Sequence, residues 1–200
     1  MSLILFEGCD SSQKSSTIKQ LKEKHEFSSF AFPTPNCIDK LKSFKTLNTE
    51  STLAYYHLIF EMDFAANLET LNSLIKKGKH VLLDRYFISN LAYASINFHN
   101  KYHLSSSNFL KVLHNIDHQL IPDLVIFLRL SDPHLFHPKP DSLFTQSELQ
   151  KLQERYKDIL DYLQEQDKVK DYVEIVIESE DDRPNILKRV ETCLKQKGFL

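Results

Sequence analysis

The chain has 200 residues, 42% of them hydrophobic and 26% charged, which is enough to bury one sizeable core and argues against disorder over most of its length. Its formal charge of −2 gives no electrostatic support to a nucleic-acid or anionic-membrane binder, and no apolar run approaches the ~20 residues of a membrane helix. Cys9, Cys37 and Cys193 are widely spaced and form no CxxC pair, so they read as reduced thiols of a cytoplasmic protein rather than a disulfide frame or zinc site. The apolar run Leu3 to Phe6 is too short for a signal-peptide core and leads straight into Glu7.

In chain order, Leu3 to Phe6 is the first expected strand, and the polar turn Gly8 to Gln13 leads into a helix over about 14–24. Ser29 to Phe32 reads as a second strand, ended by Pro33 and Pro35, because proline cannot continue a central ladder. A long helical stretch over about 50–77 stops at Gly78, a natural helix-ending residue. His80 to Leu83 is a third strand, followed by helical segments over about 88–98 and 106–120. Leu124 to Leu128 is uniformly apolar, as in a parallel strand buried on both faces. A loop with proline and histidine runs from Asp132 to Leu143. Thr145-Gln146-Ser147-Glu148 is a capping box opening a helix with one apolar stripe. Tyr172 to Ile177 is a fifth strand, and Pro184 is placed as the first residue of a closing helix. Strand alternating with helix throughout predicts a single α/β domain over residues 1–200: a P-loop NTPase-type, five-stranded parallel sheet with helices on both faces. Ligands of such sheets bind beyond the carboxyl ends of the strands.

Two polar constellations fall on that rim. Gly8-Cys9-Asp10-Ser11-Ser12-Gln13-Lys14-Ser15-Ser16 matches the phosphate-loop pattern G-x-x-x-x-G-K-[ST], except that Gln13 stands at the second glycine. In a working loop, backbone N–H groups and the helix N-terminus hold phosphates, the lysine (Lys14) reaches the β/γ-phosphates and the serine (Ser15) goes to Mg²⁺. A non-glycine residue at positive φ costs about 1–2 kcal/mol. A micromolar nucleotide binds with about 8 kcal/mol, so the strain weakens binding roughly ten-fold without abolishing it. Asp84-Arg85-Tyr86 directly follows the third strand. An acid there can orient Mg²⁺ water, and an arginine can grip two phosphate oxygens. Taken alone, the first feature is also a chance turn and the second a strand-ending ion pair. His114 with His118, and His134 with His137, carry no fixed third ligand and read as polar surface.

Taken together, these pieces resemble the thymidylate kinases, the dTMP-phosphorylating branch of the nucleoside monophosphate kinases. Phe6-Glu7-Gly8-Cys9-Asp10 is similar to the family's (F/I)EG-x-D opening, and Phe32-Pro33-Thr34-Pro35 stands where it has F-P-x-R. His57 to Phe64 is similar to its L-L-F-x-A-N/D-R segment. Asp84 to Tyr93 closely resembles D-R-Y-x-x-S-x-x-A-Y/F, and Pro122 to Leu128 resembles P-D-L-x-x-x-L. The resemblance implies that ATP is held by Gly8, Asp10, Ser11, Ser12, Gln13, Lys14, Ser15 and Ser16, with Mg²⁺ at Ser15 and Asp84. It implies Lys14, Arg85 and Asp84 as the catalytic set. The acceptor would meet Asp10, Phe32, Phe60, Phe64, Arg85, Asn90, Tyr93 and Phe144, with Phe60 stacking on the base and Tyr93 below the sugar. The loop 132–143 would be the lid over ATP, and Ser179 and Arg183 would lie near the adenine. Small nucleotides are the implied partners, with a homodimer permitted by the apolar helices.

The chain departs from the family at functional positions. Gln13 replaces a glycine, Pro35 replaces the acceptor-phosphate arginine, and Phe64 replaces the arginine that reads the thymine edge. The lid has no arginine, its basic groups being Lys139, His134 and His137, and Ser11 supplies none where one subclass does. Two readings follow: a divergent dTMP kinase, or a pseudo-kinase of the same fold that binds a nucleotide or protein without transferring phosphate.

Overall fold

A computed structural model describes residues 2–44, 52–78, 80–102, 120–137 and 146–200. Five strands, β1 (Leu3–Glu7), β2 (Phe27–Ala31), β3 (His80–Asp84), β4 (Leu124–Leu130) and β5 (Tyr172–Ile177), form one sheet in the order β2-β3-β1-β4-β5. Every pairing is parallel. Among the described residues the helices are α1 (Lys14–Lys24), α2 (Pro35–Phe44), α3 (Thr52–Lys76), α4 (Phe87–Tyr102), α5 (Gln146–Glu165) and α6 (Ile186–Gln196).

Connection handedness sets the two layers. The step from β1 to β2 runs one way across the sheet, whereas the steps to β3, β4 and β5 run the other way. Right-handed crossovers then put α1 on one face and α3, α4 and α5 on the opposite one. The packing agrees: α3 lies on α4, α4 on α5, and α6 beside α1. The three inner strands are buried on both faces: Leu3 to Phe6, Val81 to Leu83 and Leu124 to Leu128 are all at most 3% exposed. This is the environment that uniform apolar runs require.

Several boundaries differ from the sequence expectation. β2 begins at Phe27 and ends at Ala31, because Phe32 already turns away, although its N–H still bonds the Asp84 carbonyl at 2.9 Å. Pro35 does not end the strand but opens α2, since the first turn of a helix needs no N–H from it. Pro184 lies inside a 3-10 turn, Glu180–Asn185, that runs into α6. Another 3-10 turn, Pro133–Leu135, occupies the start of the expected lid loop, with the Asp132 carboxylate accepting from the His134 N–H at 2.8 Å. The helix expected over 106–120, with His114 and His118, falls almost wholly outside the described residues. So do Lys139, Phe144 and Thr145 of the capping box. Among the described residues no helix is long and apolar enough to cross a membrane.

Candidate active site

The site begins where β1 ends. Gly8 has φ 142, and a Cβ there would collide with the Leu128 carbonyl oxygen of neighbouring β4, so only glycine lets the chain leave the sheet at this point. The loop then turns through two further left-handed residues, Ser11 (φ 66) and Gln13 (φ 63, ψ 17). Gln13 thus takes the conformation that the motif reserves for glycine. Its carbonyl anchors the start of α1, accepting from the Thr17 N–H at 3.0 Å and the Ser16 hydroxyl at 2.9 Å.

Lys14 is buried under this turn. Its ammonium donates to the Cys9 carbonyl at 2.6 Å and to Ser12 Oγ at 3.0 Å. Ser12 in turn donates to the same Cys9 carbonyl at 2.9 Å. Burial, and then the positive charge of Arg85, lower the Lys14 pKa to about 8. Burial also lifts the neighbouring Cys9 thiol to about 11, so it is neutral and unreactive. Ser15 is exposed at the mouth, and its hydroxyl donates to Asp84 Oδ2 at the end of β3. A hydroxyl and a carboxylate side by side are hard oxygen donors, and they fit Mg²⁺, which takes one or two protein ligands alongside phosphates and water.

Arg85 follows Asp84 with φ 65, and its N–H donates to the Phe6 carbonyl at 3.0 Å. One terminal nitrogen reaches the Gly8 carbonyl at 2.9 Å, Ser89 Oγ at 3.1 Å and the Tyr156 hydroxyl at 3.1 Å. The other donates to Asp10 Oδ1 at 2.7 Å. The guanidinium carbon lies 5.5 Å from the centre of the Tyr93 ring. Burial holds the Tyr93 and Tyr156 phenols well above their ordinary pKa, so both stay neutral beside the guanidinium. Lys14, Ser15, Asp84, Arg85 and Asp10 are therefore brought to one rim. The arrangement concentrates two cations beside a backbone cradle at a helix N-terminus, a geometry suited to polyphosphate.

The expected acceptor residues divide. Phe32 and Phe64 are buried, edge to face at 4.7 Å between centroids, and Tyr86 lies 5.5 and 5.0 Å from them. An arginine at position 64 would be desolvated in this aromatic cluster, which gives the Phe64 replacement a physical sense. Phe60, one turn earlier on α3, is half-buried against the core. Asn90 is buried and its amide donates to Glu61 Oε1 at 2.7 Å. Asp63 accepts from the Thr34 N–H at 2.8 Å and hydroxyl at 2.6 Å, fixing the segment before Pro35.

Three residues of this region were not legible as site residues or only loosely so. Glu7 is fully buried beneath Arg85. Gln153 on α5 closes a two-way amide pair with the N–H and carbonyl of Leu130, at 2.7 and 3.0 Å. Arg183 donates to the Ser11 carbonyl at 2.6 Å and the Leu135 carbonyl at 2.7 Å, and pairs with Glu180. Ser11 Oγ also bonds the main chain of His137, and the His137 ring meets Glu180 at 3.0 Å. A cation thus stands against the phosphate loop where Ser11 brings none of its own, contributed by the turn after β5. The only signal for it was that turn's place near the adenine.

The thymidylate kinase family profile matches residues 6–172. A probable thymidylate kinase of Methanococcus vannielii is 26% identical over 167 residues, which cover 84% of this chain and 73% of that protein. The thymidylate kinase of Candida albicans, described as having broad substrate specificity, superposes with TM-score 0.78 at 22% identity over 99% of this chain and 92% of that one. The deoxyadenosine kinase of M. mycoides, solved with the products dCMP and dCDP, shares the fold with TM-score 0.66 at 16% identity, covering 97% of this chain and 99% of that one. With the profile spanning the phosphate loop, the Asp84-Arg85 rim and β4, this chain belongs to the thymidylate kinase family.

Proposed function

We propose that the chain, acting as one domain, transfers the γ-phosphoryl group of ATP to dTMP to give dTDP. The observation that carries this reading is the convergence of Lys14, Ser15, Asp84 and Arg85 on one rim, with Gln13 holding the glycine conformation that the phosphate loop needs. The acceptor is already a phosphate, so catalysis reduces to alignment and neutralisation as two anions approach. Lys14 leaves the Cys9 carbonyl to meet the donor phosphates. Arg85 exchanges Asp10 for phosphate oxygens, and its planar fork holds two of them at once. Ser15 and Asp84 would hold Mg²⁺, which offsets charge on the donor oxygens when bound.

Phe64 supports a broader acceptor range than thymine alone. A buried ring offers no hydrogen bond to the base edge, so the base is selected by shape and stacking on Phe60. Leu58 and Met62, exposed on α3, support a homodimer through that helix.

The test is a coupled ADP-release assay with ATP, Mg²⁺ and each nucleoside monophosphate in turn. Turnover with dTMP that Lys14→Ala and Arg85→Ala both lower by orders of magnitude is the expected result. A folded protein that turns over no acceptor overturns it and leaves the pseudo-kinase reading.

A further inference from the structure

The last residue of β1, Glu7, is 0% exposed, and its carboxylate has three donors around it. Oε1 accepts from the N–H of Tyr86 at 3.0 Å and of Ser89 at 3.2 Å, and Oε2 accepts from the Ser89 hydroxyl. Tyr86 and Ser89 lie at the first turn of α4, where N–H groups have no partner within the helix. Capping of that kind normally comes from a side chain next door in sequence. Here it comes from a strand 79 residues earlier.

Arg85 sits inside this arrangement in two ways. Its backbone, at φ 65, is bracketed by bonds to β1: its own N–H to Phe6 and the next N–H to Glu7. Its guanidinium shares the Ser89 hydroxyl with Glu7. That hydroxyl has one proton. While the proton is given to the carboxylate, the oxygen lone pairs face Arg85 Nη1 at 3.1 Å and the Tyr156 hydroxyl at 2.7 Å.

We propose that Glu7 is a positioning residue for Arg85, its ionised carboxylate fixing both the backbone at the β3–α4 junction and the direction of the Ser89 hydroxyl. Protonated Glu7 becomes a third donor to that oxygen, competing with Arg85 and Tyr156 for its two lone pairs, and the hold on Arg85 weakens. The charged and titratable groups around the carboxyl are Arg85 at the head of α4 and Tyr156 on α5, with Asp10 beyond the guanidinium. Burial lifts Glu7 to about 7, against the smaller opposing pull of Ser89 and Arg85, so the change of state falls in the neutral range. The inference rests on the kinase reading only for its effect on turnover; the arrangement itself is independent of it.

The experiment reads the Arg85 guanidinium directly, by ¹⁵N NMR from about pH 5 to about pH 9, in wild type, Glu7→Gln and Ser89→Ala, with Arg85→Lys identifying the signal. In wild type the side-chain resonance is restrained at high pH and becomes averaged as pH falls through about 7. In Glu7→Gln it is averaged throughout. Ser89→Ala, which leaves the Glu7 bonds to both N–H groups, loses the pH dependence, and it carries the test if Glu7→Gln does not fold. The coupled assay adds the functional readout: kcat falls roughly ten-fold or more in Glu7→Gln, its acidic limb disappears, and KM for ATP is unchanged. A guanidinium as restrained in both variants as in wild type overturns the proposal. A wild type without turnover whose guanidinium still depends on Glu7 overturns the kinase reading instead.

Discussion

Arg85 Nη2 and Asp10 Oδ1 lie 2.7 Å apart, joining the end of β3 to the phosphate loop by a charge-assisted hydrogen bond between partly buried groups. A phosphate that recruits Arg85 must outcompete this carboxylate. One carboxylate on Nη2 and three neutral oxygens on Nη1 fix the orientation of the fork, which favours bidentate capture. Replacing Arg85 by Ala is expected to lower kcat by roughly 10³-fold. Arg85→Lys recovers only a small part of it, because an ammonium is a point charge without the fork. Rate constants from the ADP-release assay, with melting temperatures to confirm folding, decide this. Full recovery by lysine would refute the bidentate role.

Gln13 holds a left-handed backbone at the start of α1. Gln13→Gly removes a strain of about 1–2 kcal/mol, and part of that gain is returned as extra freedom of the unfolded chain. The expected outcome is a melting temperature higher by about 2–4 °C, with ATP binding unchanged or a few-fold tighter. Calorimetric melting and ATP titration are the measurements. A lower melting temperature would show that the glutamine side chain contributes more than its backbone costs.

The depressed pKa of Lys14, about 8, gives nucleotide binding a proton signature. Phosphate brings negative charge to the amine and raises its pKa, so binding takes up protons when measured near pH 8. Titration calorimetry in buffers of different ionisation enthalpy measures the uptake. Lys14→Met is expected to abolish it. Uptake that persists in the variant would assign the proton to another group.

Glu7 is expected to make stability and turnover respond to pH in opposite senses. Its folded pKa of about 7 lies above the ordinary 4.5. Between those values the native state holds a proton that the unfolded chain has lost, so the Glu7 contribution to stability falls as pH rises through this window, by roughly 3 kcal/mol. Turnover through Arg85, which the proposed role of Glu7 ties to the carboxylate, is expected to rise over the same range. Urea unfolding at both ends of the window is expected to show that Glu7→Gln removes this slope. An unchanged slope would place the carboxyl in a more solvated setting.

Phe64 contacts Phe32 and Tyr86 in the buried aromatic cluster. Phe64→Ala opens a cavity there and is expected to cost about 3–5 kcal/mol, read from urea unfolding. A loss below about 1 kcal/mol would mean that the ring faces an open acceptor pocket and contributes little to the core.

The inner strands were legible because three uniformly apolar runs admit one environment, a sheet covered on both faces. β2 was misplaced because Phe27-Ser28-Ser29-Phe30 has no such run and is only partly buried. α2 was missed because Pro33 and Pro35 signal a break, while position decides whether proline ends an element or begins one. In the candidate site, Lys14, Ser15, Asp84 and Arg85 were found because each lies within a short motif at the end of a strand. Glu7 and Arg183 were not assigned their roles because their partners are remote: Glu7 meets Tyr86 across 79 residues, and Arg183 meets Ser11 across 172. Local spacing carries no information about such bonds. Gln13 is intermediate, since the motif named its position and only the backbone angles showed that it conforms.

The bridge made by Arg183 has a consequence for how a donor nucleotide is received. One side chain ties the phosphate loop at Ser11, the 3-10 turn after β4 at Leu135 and the turn after β5 at Glu180. These bonds are made wholly within the protein, so the loss of freedom they impose on the three segments belongs to folding. A ligand that enters finds a preorganised mouth, so more of its contact energy remains as affinity.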